Sequence, residues 1–166
     1  MNDHLWTPWR MPYLQDSSPR KDECIFCIKA QTEDDAVHHV LRRGEHCFVA
    51  LNLYPYNNGH MMIVPYQHTS VLDNLAEPVL TEMMRLTQQA MRVLQSAYQP
   101  DGYNIGINQG TAAGAGIAAH LHQHLVPRWR GDTNYMTVIG QTRVIPEWID
   151  DTYKRLKAIW EELFPN

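Results

Sequence analysis

The most informative stretch of the chain is the run His120-Leu121-His122-Gln123-His124-Leu125-Val126-Pro127. Side chains alternate between the two faces of a β-strand, so an extended run places all three imidazoles on one face. Leu121, Gln123 and Leu125 then lie on the opposite face. Imidazoles titrate near neutral pH, and a row of them on a rigid element is typical of nucleophilic, proton-transfer or metal chemistry.

The bulk composition narrows the class of protein. The 166 residues fit one domain, and 44% hydrophobic with 19% charged residues indicates a globular chain rather than a disordered one. A net charge of -4 argues against a general nucleic-acid binder. The sequence contains neither a membrane-spanning apolar run nor a signal peptide, so we expect a cytoplasmic protein that binds no membrane. Three cysteines do not form a disulfide framework.

The chain divides into two parts of different character. Residues 1–22 hold two tryptophans and two prolines close together, a composition that disfavours a helix and predicts an extended N-terminal arm. Residues 23–166 are predicted to form a single domain. Their order of elements predicts an α+β fold with an antiparallel sheet. The elements are buried strands at 46–52 and 60–65, a long helix at 78–98, strands at 103–108 and 120–128, and a last helix beginning at Pro146.

A loop rich in glycine and alanine, residues 108–117, directly precedes the histidines. Glycines let backbone amides approach a ligand closely, and successive free amides form a concave donor site for an anion. Such a loop is weak evidence by itself. Joined to three in-line histidines, it predicts a phosphate site with a nucleophile beside it, because an imidazole can attack a phosphoryl group and leave again.

A second motif, Cys24-Ile25-Phe26-Cys27, leaves three interpretations open. Cys-x-x-Cys is found as a redox pair, as half of a zinc site, or as two unligated thiols. A zinc ion needs two further ligands, and histidines must supply them. The candidates are His38, His39, His46, His60, His68 and the three histidines of the run.

The run from His120 to Val126 resembles the signature of the histidine triad family of nucleotidyl transferases and hydrolases. The resemblance extends through residues 48–52, 59–65 and 108–116. It implies an α+β fold, and a homodimer whose two sheets join across the two-fold axis. It also implies cleavage of purine nucleotides at the α-phosphate through a nucleotidyl-histidine intermediate.

The resemblance assigns roles position by position. His122 matches the nucleophile, and His124 matches the residue that helps to hold the phosphoryl oxygens and orient the site. His60 matches the histidine that supports the triad. Asn52 matches the residue that binds the ribose hydroxyls, and Asn108 an asparagine near the phosphate. Further predicted nucleotide contacts are Gly114, Gly116, Ile117 and Trp129, the last with core packing as an equal alternative.

In the zinc-bearing branch of the family, the ligand positions correspond to Cys24, Cys27, His68 and His120. Four protein ligands imply a structural rather than a catalytic zinc. The sequence leaves open whether Mg²⁺ is also needed.

Two positions depart from the common pattern. Gln123 stands where the family has an apolar residue, and we expect it to affect packing rather than chemistry. Gly116 stands where one hydrolase branch has a glutamine. With residues 127–137 and the N-terminal arm, this resembles the bacterial diadenosine tetraphosphate phosphorylases, which use phosphate and yield ADP. A hydrolase of dinucleoside polyphosphates or nucleoside phosphoramidates, and a non-catalytic zinc-stabilised nucleotide-binding module, remain the alternatives.

Overall fold

The computed structural model describes residues 24–133 and 145–165, so the predicted arm at 1–22 lies outside the described part. These residues form an antiparallel sheet of five strands in the order β1-β2-β3-β5-β4. The strands are β1 (Val40–Arg43), β2 (Cys47–Leu51), β3 (Met61–Pro65), β4 (Gly102–Ile107) and β5 (Gln123–Arg128). The helices are α1 (Ile25–Gln31), α2 (Glu77–Tyr98) and α3 (Ile149–Leu163). The predicted α+β class with an antiparallel sheet is confirmed.

The two faces of the sheet have different partners because the strand residues alternate. Cys47, Val49 and Leu51 of β2 join the large core formed with α2 and α3. Phe48 and Ala50 face the other way, into a smaller cluster that includes Phe26 of α1. The long α2 has the helical spacing and the early Pro78 that the sequence predicted. The histidine run therefore crosses a sheet that is covered on both faces.

Residues 52–60 connect β2 to β3 and include a turn that ends at Gly59. Its φ of +74° is one that residues with a side chain rarely adopt. A Cβ atom at this position would also lie 2.9 Å from the side chain of Leu94 on α2. Glycine therefore lets the turn approach the helix closely, and His60 follows immediately.

The structure contains two elements that the sequence did not predict, and two further elements begin at other residues. Helix α1 and strand β1 were not predicted, since seven and four residues are too short to carry a clear period. The last helix begins at Ile149 rather than at Pro146. Strand β5 begins at Gln123, so His120 and His122 precede it. There the backbone N–H of Leu121 donates instead to the carbonyl oxygen of Thr69, at 2.6 Å.

Of the helices within residues 24–133 and 145–165, none has the length and apolar character that crossing a membrane requires.

Candidate functional site

Three buried histidines lie in a row on the face of the sheet that carries α1. The imidazole Nε2 of His60 lies 3.0 Å from Nδ1 of His124. The rings of His124 and His122 meet edge to face, with centroids 4.8 Å apart. On the opposite face, the amide of Gln123 donates to the hydroxyl of Thr87 on α2. The alternation predicted from the sequence thus holds even where the regular strand has not yet begun.

The hydrogen bonds of His122 define its tautomer. Its Nδ1 lies 2.9 Å from the carbonyl oxygen of His120, and a carbonyl oxygen only accepts hydrogen bonds. Nδ1 therefore carries the proton, and the lone pair of the neutral ring is on Nε2. Burial lowers the pKa of His122, although the bond to the carbonyl opposes this effect. The ring is consequently neutral near pH 7 and offers a nucleophilic nitrogen.

The hydrogen bonds of His60 determine its own tautomer and that of His124. The backbone N–H of Tyr56 donates to Nδ1 of His60 at 3.1 Å, so the proton of the neutral ring is on Nε2. This Nε2–H donates to Nδ1 of His124, which places the proton of neutral His124 on its own Nε2. The ring of Tyr56 covers both imidazoles, with centroids 4.6 Å from His60 and 5.6 Å from His124.

Cys24, Cys27, His68 and His120 form a compact cluster whose ligand atoms all lie within 4.8 Å of one another. Nδ1 of His120 lies 3.3 Å from Sγ of Cys24, and Nδ1 of His68 lies 3.3 Å from Sγ of Cys27. Sulfur and nitrogen ligands on a tetrahedral zinc ion stand about 3.5 Å apart, given the usual bond lengths. The cluster therefore has both the donor set and the spacing that suit zinc.

The tautomer of His120 also suits a metal ligand. Its Nε2 lies 2.9 Å from the carbonyl oxygen of Pro65, so Nε2 carries the proton and the lone pair of Nδ1 is directed at the sulfurs. A hydrogen bond from the second ring nitrogen to a carbonyl is the usual support for a metal-bound histidine. Cys24 and Cys27 are free thiols rather than a disulfide. These contacts favour the zinc interpretation over the redox one.

Helix α1 joins the cysteine cluster to the histidine row. Phe26, between the two cysteines in the sequence, packs against the rings of both His120 and His122. Arg43 of β1 holds the end of the helix by donating to the carbonyl oxygens of Lys29, Ala30 and Thr32. Neither Phe26 nor Arg43 was predicted from the sequence as a site residue. The position of Phe26 inside the Cys-x-x-Cys motif was the one signal available.

The predicted nucleotide contacts fall in different places. Asn52 lies beside the histidine row, with its amide nitrogen 3.4 Å from Nδ1 of His60. Asn108 is half-buried directly after β4, where the glycine-rich loop begins. Gly114 has a φ of +83° and is exposed, and Gly116 is exposed as well. Ile117 packs partly against the cluster that contains Phe26. The loop and the histidines therefore adjoin the same face.

Trp129 lies beyond the far end of β5, roughly 16 Å of extended chain from His124. Its indole N–H donates to the carbonyl oxygen of Tyr98 at the end of α2. This hydrogen bond supports the packing role, and the nucleotide contact of Trp129 stays a prediction.

A cavity of about 460 Å³ opens where β2 ends and β3 begins, a feature that the sequence did not indicate. Asn52, Gly59 and His60 form one side, and residues at the start of α3 form the other. Trp148 at this cavity is 83% exposed. The cavity thus adjoins the supporting histidine.

Comparisons with known proteins agree with this geometry. The family model described as HIT domain matches residues 33–131. The chain is 44% identical over 162 residues to the AP-4-A phosphorylase of Mycobacterium tuberculosis. The alignment covers 94% of this chain and 83% of that protein. It is 31% identical to an uncharacterised HIT-like protein of Methanocaldococcus jannaschii, over 81% of this chain and 99% of that one.

Among solved structures, the chain is similar to a Zn-bound histidine triad family protein from Mycobacterium smegmatis. The TM-score is 0.67 at 26% identity, over 85% of this chain and 95% of that chain. The family match spans more than half of the sequence and contains all three histidines of the row. The chain therefore belongs to the HIT domain family, the histidine triad proteins.

Proposed function

We propose that this protein is a nucleotidyl transferase that cleaves dinucleoside polyphosphates, with diadenosine tetraphosphate as the substrate, by phosphorolysis. The observation that carries the proposal is the 2.9 Å contact between Nδ1 of His122 and the carbonyl oxygen of His120, which assigns the proton to Nδ1 and the lone pair to Nε2. A neutral buried imidazole beside a glycine-rich loop is suited to attack phosphorus. The 44% identity to a protein named AP-4-A phosphorylase supports both the substrate and the use of phosphate.

In the first step, Nε2 of His122 attacks the α-phosphorus of one adenosine. A bond forms between nitrogen and phosphorus, the bond from phosphorus to the bridging oxygen breaks, and ATP leaves. AMP remains on His122. The Nε2–H of His124, fixed by the bond from His60, donates to a phosphoryl oxygen as negative charge develops. Amides of the loop that contains Gly114 and Gly116 hold the other oxygens.

In the second step, an oxygen of inorganic phosphate attacks the same phosphorus and displaces the imidazole, which yields ADP and regenerates His122. Asn108 at the start of the loop contributes to the phosphate site, and Asn52 beside His60 binds the ribose. Ile117, on the Phe26 side of the loop, lies against the nucleoside. Gly116 brings no side chain that would position a water molecule, which favours phosphate as the acceptor.

The proposed zinc ion is structural. Cys24, Cys27, His68 and His120 fill four positions with protein atoms, so a bound zinc ion would cross-link α1 to the histidine run without an open coordination site. The zinc-bound relative supports the assignment. A zinc ion at this site would hold Phe26 against His122 and so stabilise the nucleophile's position.

The proposed assembly is a homodimer formed through β4. This strand lies at the edge of the sheet, and Ile105 at its centre is 45% exposed. An edge strand with exposed apolar residues is suited to pair with a second copy. Leu80 and Met84 of α2 are also exposed. They share a helix face with Met91, whose carbonyl oxygen accepts a hydrogen bond from Tyr103 on β4. Light scattering of the purified protein tests the dimer, and an Ile105→Lys variant should be monomeric.

Product analysis with labelled inorganic phosphate tests the reaction. Incubation with diadenosine tetraphosphate should give ATP and labelled ADP, and without phosphate the reaction should stop after one turnover, with AMP bound to His122. AMP and ATP formed without phosphate would indicate a hydrolase. Cleavage of adenosine 5'-phosphoramidate alone would indicate a phosphoramidate hydrolase. If His122→Ala leaves every measured activity unchanged, His122 is not a nucleophile, and the non-catalytic nucleotide-binding module would be the favoured function. Adding Mg²⁺ to the same assay tests whether the phosphates need a divalent cation.

A further inference from the structure

The hydrogen bond between His60 and His124 joins two separate parts of the chain. His124 is on β5, whereas His60 follows the turn that begins at Asn52. The same turn carries Tyr56, whose N–H keeps the proton off Nδ1 of His60. The position of this turn relative to β5 therefore determines both the 3.0 Å bond and the direction in which it donates.

The carboxylate of Asp132 ties these two parts together. It accepts two hydrogen bonds from the guanidinium of Arg128, at 2.6 and 2.7 Å, and one from the backbone N–H of Trp129 at 3.1 Å. The same oxygen that accepts from Trp129 also accepts from the side-chain amide of Asn57 at 2.9 Å. The Arg128 guanidinium holds the pKa of Asp132 well below its usual range. One charged group thus connects the end of β5 to the turn.

Asn57 carries this connection to His60. Its side-chain amide also donates to the carbonyl oxygen of Pro127 on β5, at 3.1 Å. Its own carbonyl oxygen accepts the backbone N–H of His60 at 3.2 Å, and its side-chain oxygen accepts the N–H of Asn58. Asn57 therefore has one set of bonds to β5 and Asp132, and another to the residues that place the imidazole.

We infer that Asp132 is a positioning residue for the histidine row. Through Asn57, its carboxylate holds the turn in the register at which Tyr56 donates to His60 and His60 donates to His124. Asp132 does not contact the reacting atoms. Its effect on turnover rests on the proposed function, because the oriented Nε2–H of His124 stabilises the phosphoryl oxygens. Its effect on the tautomers is independent of any substrate.

The variant Asp132→Asn tests the inference with almost no change of shape. An amide places an N–H₂ group against donors that need an acceptor, so it cannot accept all the hydrogen bonds that the two carboxylate oxygens accept from Arg128, Trp129 and Asn57. We expect the imidazole ¹⁵N shifts of His60 and His124 to move from single tautomers toward mixtures. We expect kcat with diadenosine tetraphosphate to fall about tenfold with KM nearly unchanged, as for a small misplacement of a catalytic group.

Asp101→Asn is the matched control. The carboxylate of Asp101 also accepts a backbone N–H near the end of β5, that of Arg130 at 2.8 Å, but it does not contact Asn57. This variant should keep the tautomers and kcat of the parent protein. If Asp132→Asn does not fold, Arg128→Lys is a milder variant. Lysine cannot form the bidentate pair of hydrogen bonds, so it holds the Asp132 carboxylate less firmly. The same shifts should appear with smaller amplitude.

The inference is overturned if the substituted protein keeps both the ¹⁵N shifts and kcat while only its melting temperature falls, because Asp132 would then be purely structural. Absence of turnover in the parent protein would instead contradict the proposed function. The ¹⁵N shifts would still decide the role of Asp132 in that case.

Discussion

The ring of Phe26 packs against the imidazole of His122, with centroids 4.9 Å apart and the two planes at 47°. Phe26 lies between the two cysteines of the proposed zinc site, and His122 is the proposed nucleophile. This contact is therefore a direct side-chain link between the two motifs that the sequence presents separately, beside the hydrogen bond from His122 to the carbonyl oxygen of His120. A change in the cysteine cluster reaches the histidine row through this ring.

Removing the ring should disturb both stability and catalysis. Phe26 is 1% exposed, and truncating a fully buried phenylalanine to alanine costs about 3 to 5 kcal/mol. We expect Phe26→Ala to lower the free energy of unfolding by about that amount and to lower kcat as well, since His122 loses a packing partner. Urea unfolding and steady-state assays measure the two effects. Full kcat in the folded variant would contradict the link.

Loss of the proposed zinc ion should also lower the stability of the protein. Cys24→Ser should reduce bound zinc from one ion per chain to a small fraction and lower the melting temperature, because a structural metal contributes directly to folding. The third cysteine provides the control. Cys47 is fully buried, and burial with the nearby Glu82 raises its thiol pKa to about 12, so it is a protonated core thiol. Metal analysis of Cys47→Ala should still find one zinc ion, whereas a zinc-free parent protein would refute the site.

Glu82 should give stability a specific pH dependence. Its buried carboxylate accepts the backbone N–H groups of Glu45, His46 and Cys47 and pairs with Arg85. Burial raises the pKa of Glu82, but the four hydrogen bonds lower it by more than burial raises it. The pKa in the folded state therefore lies below the value in the unfolded state. Its stabilising effect is therefore present above the unfolded pKa and is lost as the pH falls through the folded one.

Glu82→Gln should accordingly be less stable than the parent protein by about 2 to 3 kcal/mol at pH 7, as expected when buried donors lose a charged acceptor. The difference should shrink below about pH 4, near the usual value for this side chain. Chemical denaturation across this pH range measures it. The exposed Glu162→Gln is the control, and a gap that stays constant down to pH 3 would exclude the assigned role of Glu82.

Gln123 should matter for packing and not for chemistry. Its amide donates to Thr87 at 2.7 Å on the helix side of the sheet, away from the proposed nucleophile. The hydroxyl of Thr87 also donates to the carbonyl oxygen of Met83. An apolar residue of similar size at position 123 therefore leaves Thr87 with a hydrogen-bond partner. We expect Gln123→Met to change the stability by about 1 kcal/mol and to leave kcat within about twofold. A large loss of kcat at full stability would mean that Gln123 acts on the site.

The features that were predictable from the sequence are those with a local period. The two-residue alternation placed His122 and His124 on one face, and the helical spacing from Pro78 predicted α2 correctly. The hairpin of β2 and β3 followed from two apolar runs and the Gly59 turn. The cysteine cluster required the resemblance, because spacing alone left three interpretations of Cys24 and Cys27 open.

The features that were missed depend on contacts between residues far apart in the sequence. Helix α1 is short and is held by Phe26 and Arg43 rather than by its own propensity. The start of β5 depends on its two neighbouring strands, because pairing with both stops at Gln123, opposite Ile63 of β3 and Ile107 of β4. Asp132 and Glu82 bind backbone or side chains of distant segments. A single sequence has no local pattern that reports such bonds.

Trapping the covalent intermediate tests the central claim most directly. The protein is mixed with diadenosine tetraphosphate labelled at the α-phosphates, in the absence of inorganic phosphate, and is then quenched. We predict label on His122 as a phosphorus–nitrogen adduct of AMP, its transfer into ADP when phosphate is added before the quench, and no label in His122→Gln. Labelling or turnover that persists in His122→Gln would contradict the account.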